Sequence, residues 1–522
     1  MVNKRATLVI LGFLLAFVLL FYRIMTLVLW PEVKTSGTEG TFTQRGIIYD
    51  RYTNALTLNV EYYDFYIRPA RLSEETRQWL ITHLVGMEGK VFSLQDMSVL
   101  ESTKDFVYLK RRLPYSQKNR LETILTNYPG KWPSDSWGFL KKNSRYYGFL
   151  ETAKVVGYVN IDNEGLAGLE FFFDERLKKG ENLYTTLDPL VSRIALEELI
   201  RGITEASAEY GSVIVMKISN REILAMVDWP SYDPNVYTTI SERNSINYAL
   251  SVAYEPGSVM KVFASTFALQ EKLVRQDESF FCGGSIEIYQ TKIKDGFAHG
   301  NLRLAEIIQK SCNVGMVQVA DRFTATRWYH TLTNLGFGKT PAIPLPGKAK
   351  GILRSLSEWS GLSKYMTSIG QEIGVSTLQL ALALGTLADH GWYESPTLVY
   401  EGKEKERHQV LDSTACETIL HMMEKVVGEN GTALSARIEG LTIAGKTGTG
   451  QIAKENGQGY YPNFFSALFM GVFPAEKPEY LMVVAVNRIH GPKHTGGEIA
   501  APIFSRIVRR MIIQTDYFGG KP

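Results

Sequence analysis

The first thirty residues contain the strongest hydrophobic pattern in the chain. Lys4 and Arg5 precede an uncharged run over residues 6–22, and the apolar character continues to Trp30. About 25 such residues in a helix extend roughly 37 Å at 1.5 Å per residue, which exceeds a bilayer core of about 30 Å. Basic residues on the N-terminal side keep that end in the cytoplasm. We therefore predict a cytoplasmic stub and a transmembrane signal anchor over residues 1–30.

A cleavable signal peptide is the alternative interpretation of this segment. Such a peptide has a shorter apolar region that ends in small residues, whereas this run ends in Leu29-Trp30-Pro31. Tryptophan favours the membrane interface. We therefore predict a single-pass protein of the inner (cytoplasmic) membrane, with its N-terminus in the cytoplasm and its large domain on the periplasmic, extracytoplasmic side.

Residues 31–182 alternate short β patterns with helical ones. Residues 46–49 and 62–67 have the composition of strands, and residues 72–85 have helical spacing with Ser73 as the candidate N-cap. No catalytic group of residues is recognisable here. We expect a domain of mixed α+β character.

The pattern changes at residue 183 and predicts one large domain over residues 183–522. Asp188 is the candidate N-cap, and Pro189 the first residue, of a helix that runs to Arg201. Apolar stretches typical of strands cover residues 211–218, 221–227, 441–449, 464–473 and 480–487. A last helical pattern covers residues 501–513. We expect one five-stranded antiparallel sheet flanked by helices, so the fold class is α/β (α+β).

Composition narrows the function only slightly. The chain is 45% hydrophobic and 21% charged, as ordinary folded proteins are, and its net charge of +3 argues against a nucleic-acid partner. Cys282, Cys312 and Cys416 form no C-x-x-C pair and no metal-ligand spacing. We expect no disulfide framework, no metal and no cofactor.

Three short motifs carry the chemistry. Ser258-Val-Met-Lys261, Ser311-Cys-Asn313 and Lys446-Thr-Gly448 have the forms S-x-x-K, S-x-N and K-T-G. Each is common by itself. Together and in this order they are the active-site motifs of penicillin-interacting serine enzymes.

The first motif supplies a nucleophile and a base. Pro256-Gly257 predicts a turn before a helix, which places Ser258 at the helix N-terminus and Lys261 one turn later on the same face. The helix is apolar on nearly every side, so we expect a poorly solvated Lys261 whose lowered pKa lets it accept the serine proton. A capping serine with a surface lysine is the alternative for this motif taken alone.

The other two motifs supply groups for proton transfer and substrate binding. The Ser311 hydroxyl can relay a proton, and the Asn313 amide can both donate and accept hydrogen bonds. Lys446 adds a positive charge that helps to keep Lys261 neutral and attracts a substrate carboxylate. Taken alone, each motif has a non-catalytic alternative: S-x-N would be a polar helix end, and K-T-G would be part of a glycine-containing strand.

The strand that carries Lys446 is predicted to contact an extended substrate peptide. Thr447 and Thr449 offer hydroxyls for a carboxylate, and Gly448 lets another backbone approach closely. The backbone N–H groups of Ser258 and Thr449 are the expected oxyanion donors.

With these motifs, the chain resembles the class B penicillin-binding proteins, which are monofunctional peptidoglycan D,D-transpeptidases. Further matching segments are Arg45-Gly-Ile-Ile-Tyr-Asp50-Arg51, Arg145-Tyr-Tyr, Gly165-Leu-Ala-Gly168-Leu-Glu170, Trp229-Pro-Ser-Tyr-Asp-Pro-Asn235, Ile369-Gly-Gln371 and Gly496-Gly-Glu-Ile-Ala-Ala-Pro502. The resemblance implies a pedestal of the dimerisation type over residues 31–182 and a transpeptidase domain over residues 183–522. Glu372 and Tyr52-Thr53 depart from the family pattern, which usually has glycine after Gly-Gln and Asn-Gly after Asp-Arg.

The resemblance also implies roles and partners. The catalytic residues would be Ser258, Lys261, Ser311 and Lys446, and the substrate-binding residues Asn313, Thr447, Gly448 and Thr449. The substrate would be a peptidoglycan stem peptide ending in D-Ala-D-Ala, and β-lactams would acylate the same serine. A polytopic lipid-II glycosyltransferase and divisome membrane proteins are the implied protein partners.

Several alternatives stay open at this point. The cell-division (septal) type is favoured over the elongation type by the segment from Phe464 to Pro474 and by the C-terminal Gly-Gly-x-x-Ala-Ala-Pro-x-Phe. A serine β-lactamase or a D,D-carboxypeptidase would share the three motifs, but no E-x-x-L-N segment follows Asn313 to activate water as in class A β-lactamases. A cell-wall scaffold with an inactive site is the non-enzymatic alternative.

Overall fold

A computed structural model describes residues 44–87, 91–402, 404–453 and 459–518, and these form one compact unit. The predicted anchor, residues 1–30, lies outside the described residues. Among the helices in the described ranges, none has the length and apolar character needed to cross a bilayer.

The N-terminal part of this unit is built on a three-stranded antiparallel sheet in the order β3-β2-β4. Its strands and the short parallel pair β1–β5 are β1 Ile48–Tyr49, β2 Thr57–Ile67, β3 Val107–Leu113, β4 Trp137–Tyr147 and β5 Leu183–Tyr184. Its helices are α1 Glu74–Val85, α2 Leu94–Met97, α3 Tyr115–Thr126, α4 Ala153–Val156, α5 Gly168–Phe172 and α6 Asp174–Lys178. The N-cap predicted at Ser73 is confirmed, since its hydroxyl accepts a hydrogen bond from Thr76 N at 3.2 Å.

A cluster of buried charged side chains joins distant segments of the N-terminal part. The Glu170 carboxylate, fully buried, accepts hydrogen bonds from Arg45 Nε at 2.7 Å and Arg145 Nε at 2.6 Å. Arg45 also pairs with Asp174 at 2.8 Å. Three segments far apart in the sequence therefore meet at one carboxylate. The charges compensate one another, which is the condition for keeping such groups away from water.

The C-terminal part is organised by the five-stranded antiparallel sheet that the sequence predicted, and its order is β14-β15-β16-β6-β7. Its strands are β6 Ala208–Lys217, β7 Ile223–Trp229, β14 Ala444–Ala453, β15 Tyr460–Phe473 and β16 Tyr480–Ile489. The predicted strand over 441–449 begins three residues later, at Ala444. The strand β14, which carries the K-T-G motif, lies at the edge of the sheet.

Helices cover both faces of this sheet. Gly211 and Gly471 face α7 and α17 on one side, where their Cβ positions meet Leu199 and Phe504. The other side packs against α15, whose first residue, Thr377, has its Oγ1 2.8 Å from Ser212 Oγ. The helices of this part are α7 Pro189–Glu205, α8 Glu242–Ser245, α9 Tyr248–Ser251, α10 Met260–Gln270, α11 Leu304–Lys310, α12 Asn313–Asp321, α13 Ala325–Asn334, α14 Ser363–Ser368, α15 Thr377–Ala388, α16 Ser413–Val427 and α17 Ala500–Gln514.

Short strands complete the C-terminal part and form two-stranded pairs outside the main sheet. They are β8 Phe280–Cys282, β9 Ser285–Ile288, β10 Thr291–Lys294, β11 Gly300–Leu302, β12 Trp392–Glu394 and β13 Arg407–Gln409. The helix predicted from Asp188 is confirmed as α7, because the Asp188 carboxylate accepts hydrogen bonds from Leu190 N and Val191 N at 2.9 and 3.1 Å.

The ion cluster predicts a large effect from a nearly isosteric change. Glu170→Gln removes the charge that two buried guanidinium groups share, so we expect the free energy of unfolding to fall by about 3–5 kcal/mol in a urea titration. The exposed Glu175→Gln on α6 is the matched control and should change it by less than about 0.5 kcal/mol. Similar small losses in both variants would contradict the structural role of the cluster.

Candidate functional site

Ser258 lies in a single 3₁₀ turn, Gly257–Val259, that leads directly into α10. The turn contacts the edge strand β14 so closely that only glycine fits on both sides. A Cβ at Gly257, where φ is +59°, would lie 2.6 Å from the carbonyl oxygen of Thr449. A Cβ at Gly448 would lie equally close to the carbonyl oxygen of Pro256. The half-buried Ser258 is thereby held beside the backbone of Thr449.

Lys261 is fully buried one turn after Ser258. Its ammonium donates to the carbonyl of Ser311 and, at 2.7 Å, to Asn313 Oδ1, and it is 3.4 Å from Ser311 Oγ. Burial lowers the pKa of Lys261 from its ordinary value to about 8, while the nearby Asp295 carboxylate and Cys312 sulfur act in the opposite direction. With that pKa, roughly a tenth of the Lys261 amine is neutral at pH 7.

Ser311 connects the two lysines. It ends α11 in the left-handed conformation, with φ of +60°, which is uncommon for a residue other than glycine. Its hydroxyl oxygen accepts a hydrogen bond from Lys446 Nζ at 2.9 Å while its carbonyl accepts one from Lys261. The strained backbone directs both polar groups of one residue at the two ammonium groups.

Lys446 is also fully buried, and its ammonium donates to the carbonyl of Thr447 at 3.0 Å. Burial, and then repulsion from Lys261, lowers the pKa of Lys446 well below its ordinary value. Two unit charges at most about 6 Å apart repel by about 3 kcal/mol at an effective dielectric constant near 20. The pair therefore favours states in which at least one amine is neutral.

Asn313 is held by a residue that the sequence analysis did not identify. Its backbone N–H donates to Asp295 Oδ1 at 2.7 Å, and its side-chain amide donates to the carbonyl of Lys294 at 3.0 Å. Asp295 also accepts from Val314 N at 3.0 Å, so it caps the first turn of α12. No sequence motif links Asp295 to the S-x-N segment, since the contact joins positions far apart in the chain.

The hydroxyls of the K-T-G strand are fixed by segments beyond it. Thr447 Oγ1 lies 2.7 Å from Thr432 Oγ1, and Thr449 Oγ1 accepts a hydrogen bond from Gly496 N at 3.1 Å. Gly496 begins the C-terminal segment Gly496-Gly-Glu-Ile-Ala-Ala-Pro502, whereas no motif in the sequence points to Thr432. Both threonine hydroxyls are therefore held in place beside the edge of the sheet.

Glu372 has its backbone in the left-handed region, with φ of +57°, which accounts for the glycine that the family usually has there. Its carboxylate accepts from Ser363 Oγ at 2.8 Å and pairs with Arg354, and its backbone N–H donates to Glu255 Oε1 at 3.0 Å. Glu255, Arg354 and Glu372 line a cavity of about 470 Å³ next to the segment that precedes Ser258. Ser258 is not among the residues that line it.

The described residues thus bring the three motifs together around Ser311 and the Gly257–Thr449 contact. In that arrangement Ser311 contacts two amines of lowered pKa, and the turn that carries Ser258 lies against the edge strand β14. Acyl transfer requires a nucleophile, a base and oxyanion donors, and residues of these types are present here. Among the described residues, the group that could hold a metal ion consists of Cys282, Asp295, His299 and Cys312.

Comparison with protein families gives two matches. Residues 211–509 match the penicillin-binding protein transpeptidase domain, and residues 41–186 match the penicillin-binding protein dimerisation domain. The two matches together span most of the chain, and the first contains all three motifs.

Individual proteins match over comparable lengths. The chain is 28% identical to the peptidoglycan D,D-transpeptidase FtsI of Escherichia coli K12 over 442 residues, covering 79% of this chain and 73% of that protein. It is 26% identical to FtsI of Buchnera aphidicola (subspecies Baizongia pistaciae) over 561 residues, covering 98% and 95%.

Solved structures have the same fold. The aztreonam complex of penicillin-binding protein 3 from Mycobacterium tuberculosis has a TM-score of 0.69 at 22% identity and covers 90% of this chain and 96% of that one. The transpeptidase domain of Burkholderia pseudomallei penicillin-binding protein 3 has a TM-score of 0.57 at 27% identity, covering 62% and 94%.

Proposed function

The chain belongs to the class B penicillin-binding proteins, and from that premise we propose that Ser258 is the acylated nucleophile of a peptidoglycan D,D-transpeptidase. The observation that carries the assignment is the pair of buried lysines that share Ser311 beside the Ser258 turn. Each lysine has a lowered pKa, which a base near a serine hydroxyl needs.

Acylation follows from these positions. Ser258 Oγ attacks the penultimate carbonyl carbon of a D-Ala-D-Ala terminus, and neutral Lys261 accepts the hydroxyl proton. The backbone N–H groups of Ser258 and Thr449 stabilise the oxyanion. As the C–N bond breaks, the proton returns through Ser311 to the amine of the departing D-alanine. The product is a Ser258 ester with the stem peptide.

Substrate orientation is assigned to the edge strand and the S-x-N segment. We assign the free carboxylate of the terminal D-alanine to Lys446, Thr447 and Thr449, where an amine and two fixed hydroxyls are available as hydrogen-bond donors. Gly448 permits close approach of backbone, and the open edge of β14 can pair with an extended peptide. Asn313 is proposed to bind the stem peptide.

The second half-reaction forms the cross-link. An amine of a neighbouring stem peptide attacks the Ser258 ester carbonyl, Lys261 accepts the amine proton, and Ser258 recovers its hydroxyl proton as the ester C–O bond breaks. Water in place of the amine would give a D,D-carboxypeptidase, and fast water attack on a β-lactam ester would give a β-lactamase. The similarity to named D,D-transpeptidases over most of the chain favours the amine acceptor.

We propose the domain organisation that the resemblance implies: an anchor over residues 1–30, a pedestal over 31–182 and a transpeptidase domain over 183–522. The two family matches, with a division near residue 186, support it. The anchor would hold the enzyme at the inner membrane, close to a polytopic lipid-II glycosyltransferase and to divisome proteins.

Replacement of the nucleophile tests the assignment directly. In Ser258→Ala we expect labelling by a fluorescent penicillin to fall at least about a thousandfold, because no hydroxyl remains to form the ester. Ser245→Ala, an exposed serine on α8, is the control and should label like the unaltered protein. Labelling of Ser258→Ala near the normal rate would place the reactive group elsewhere.

The lowered pKa of Lys261 predicts the pH profile. The rate constant of penicillin labelling should rise about tenfold per pH unit up to about pH 7, about fivefold from pH 7 to 8, and level off near pH 9, because the neutral amine is the base and its pKa is about 8. Lys261→Arg keeps the charge but stays protonated, so its labelling should remain at background throughout. A flat profile for the unaltered protein would reject Lys261 as the base.

The septal type remains the favoured branch, since the two relatives above carry the name FtsI and the 464–474 segment resembles the division type. A fluorescent fusion of the full chain should concentrate at the division site in dividing cells of its host. The Ser258→Ala fusion is the matched control and should localise in the same way if anchor and pedestal direct it. Even labelling of the lateral wall would support the elongation type instead.

A further inference from the structure

Four side chains with metal-binding atoms meet directly behind the Ser311–Asn313 segment. The thiols of Cys282 and Cys312 lie 3.3 and 3.0 Å from Asp295 Oδ2. His299 Nδ1 lies 3.5 Å from Cys282 Sγ and 4.0 Å from Asp295 Oδ2. All four ligand atoms lie within 4.8 Å of one another.

The cluster is enclosed by protein. Both cysteines are fully buried, and the Asp295 and His299 side chains are 5% and 6% exposed. The four residues belong to different short segments: the end of β8, the residue after β10, the residue before β11 and the N-cap of α12. Irregular spacing along the chain explains why the sequence contains no metal-ligand pattern.

Four of the separations, 3.0, 3.3, 3.5 and 4.0 Å, lie close to the edge lengths of a small coordination tetrahedron, and the other two are at most 4.8 Å. Ligand bonds of about 2.3 Å to sulfur and about 2.0–2.2 Å to nitrogen and oxygen put neighbouring ligands roughly 3.3–3.8 Å apart around zinc. Two thiolates with an imidazole and a carboxylate favour zinc over calcium or magnesium, which prefer oxygen ligands. A set with four protein ligands is typical of a structural site.

We propose that Cys282, Asp295, His299 and Cys312 bind one Zn²⁺ ion that fixes the S-x-N segment. Both thiols would release their protons to solvent on binding, and the imidazole would bind as the neutral form. Cys312 lies between Ser311 and Asn313 in the chain, and Asp295 Oδ1 accepts the Asn313 N–H. The ion therefore holds the peptide that presents Ser311 to Lys261 and Lys446.

A Cys282–Cys312 disulfide is the competing chemistry for this cluster. A disulfide would use two of the four groups. It would not account for the positions of the Asp295 carboxylate and the His299 imidazole beside the two sulfurs. The convergence of all four side chains favours the metal, and thiol content separates the two because metal binding keeps both sulfurs reduced.

Metal content is the direct test. The detergent-solubilised full chain, incubated with Zn²⁺ and then desalted, should retain one equivalent by mass spectrometry of the metal. Co²⁺ in place of Zn²⁺ should give the visible absorption of a tetrahedral thiolate complex. Cys282→Ala should weaken Zn²⁺ affinity more than about tenfold. Cys416→Ala, which removes the third buried thiol on α16, should retain the equivalent.

A second measurement covers the case in which Cys282→Ala fails to fold. A strong chelator should lower the melting temperature of the unaltered chain, and Zn²⁺ in excess of the chelator should restore it. Retention of no zinc by the folded chain, retention unaffected by Cys282→Ala, or a Cys282–Cys312 disulfide in the purified protein would each overturn the proposal. None of these measurements depends on Ser258 being the nucleophile, so their failure and that of the proposed function are distinguishable.

Discussion

The hydrogen bonds from two buried lysines to one serine are the interaction on which the rest of the site depends. Lys261 and Lys446 come from a helix and from the edge of a sheet, and Ser311, at the end of a third element, joins them. Burying two ammonium groups is costly, so the protein lowers the pKa of both. In the proposed mechanism that cost is the source of reactivity, because an amine with a lowered pKa can accept a proton from a serine.

Close packing around the two lysines stabilises this arrangement. Helices cover both faces of the five-stranded sheet, and the turn that carries Ser258 packs directly against β14. Glycines at the Gly257–Thr449 contact remove the side chains that would keep the turn from the strand. Strand-edge geometry then leaves one side of β14 available for an extended peptide. In the proposed function, β14 thus contributes both to the packing of the sheet and to the binding of substrate.

Local signals in the sequence predicted local structure well. The N-caps at Ser73 and Asp188 and the five strands depend on residues close together in the chain. The strands β3 and β4 were not predicted, because runs such as Lys141-Lys-Asn-Ser-Arg145 obscure the alternation of buried and exposed positions.

Contacts between distant segments could not be predicted from the sequence. The meeting of Arg45, Arg145 and Glu170 and the capping of α12 by Asp295 each join positions that no spacing rule connects. Thr53 and Glu372 stand where the family pattern has glycine. Their φ angles are +65° and +57°, which glycine adopts without strain. Such angles follow from tertiary structure and are not visible in one sequence.

A crystal structure of the full chain after reaction with a β-lactam tests the central claim most directly. The account predicts an ester between Ser258 Oγ and the opened ring, its carbonyl oxygen within hydrogen-bond distance of the Ser258 and Thr449 amides. Lys261 and Lys446 should both still contact Ser311. An adduct on another residue, or lysine side chains directed to solvent away from Ser311, would contradict it.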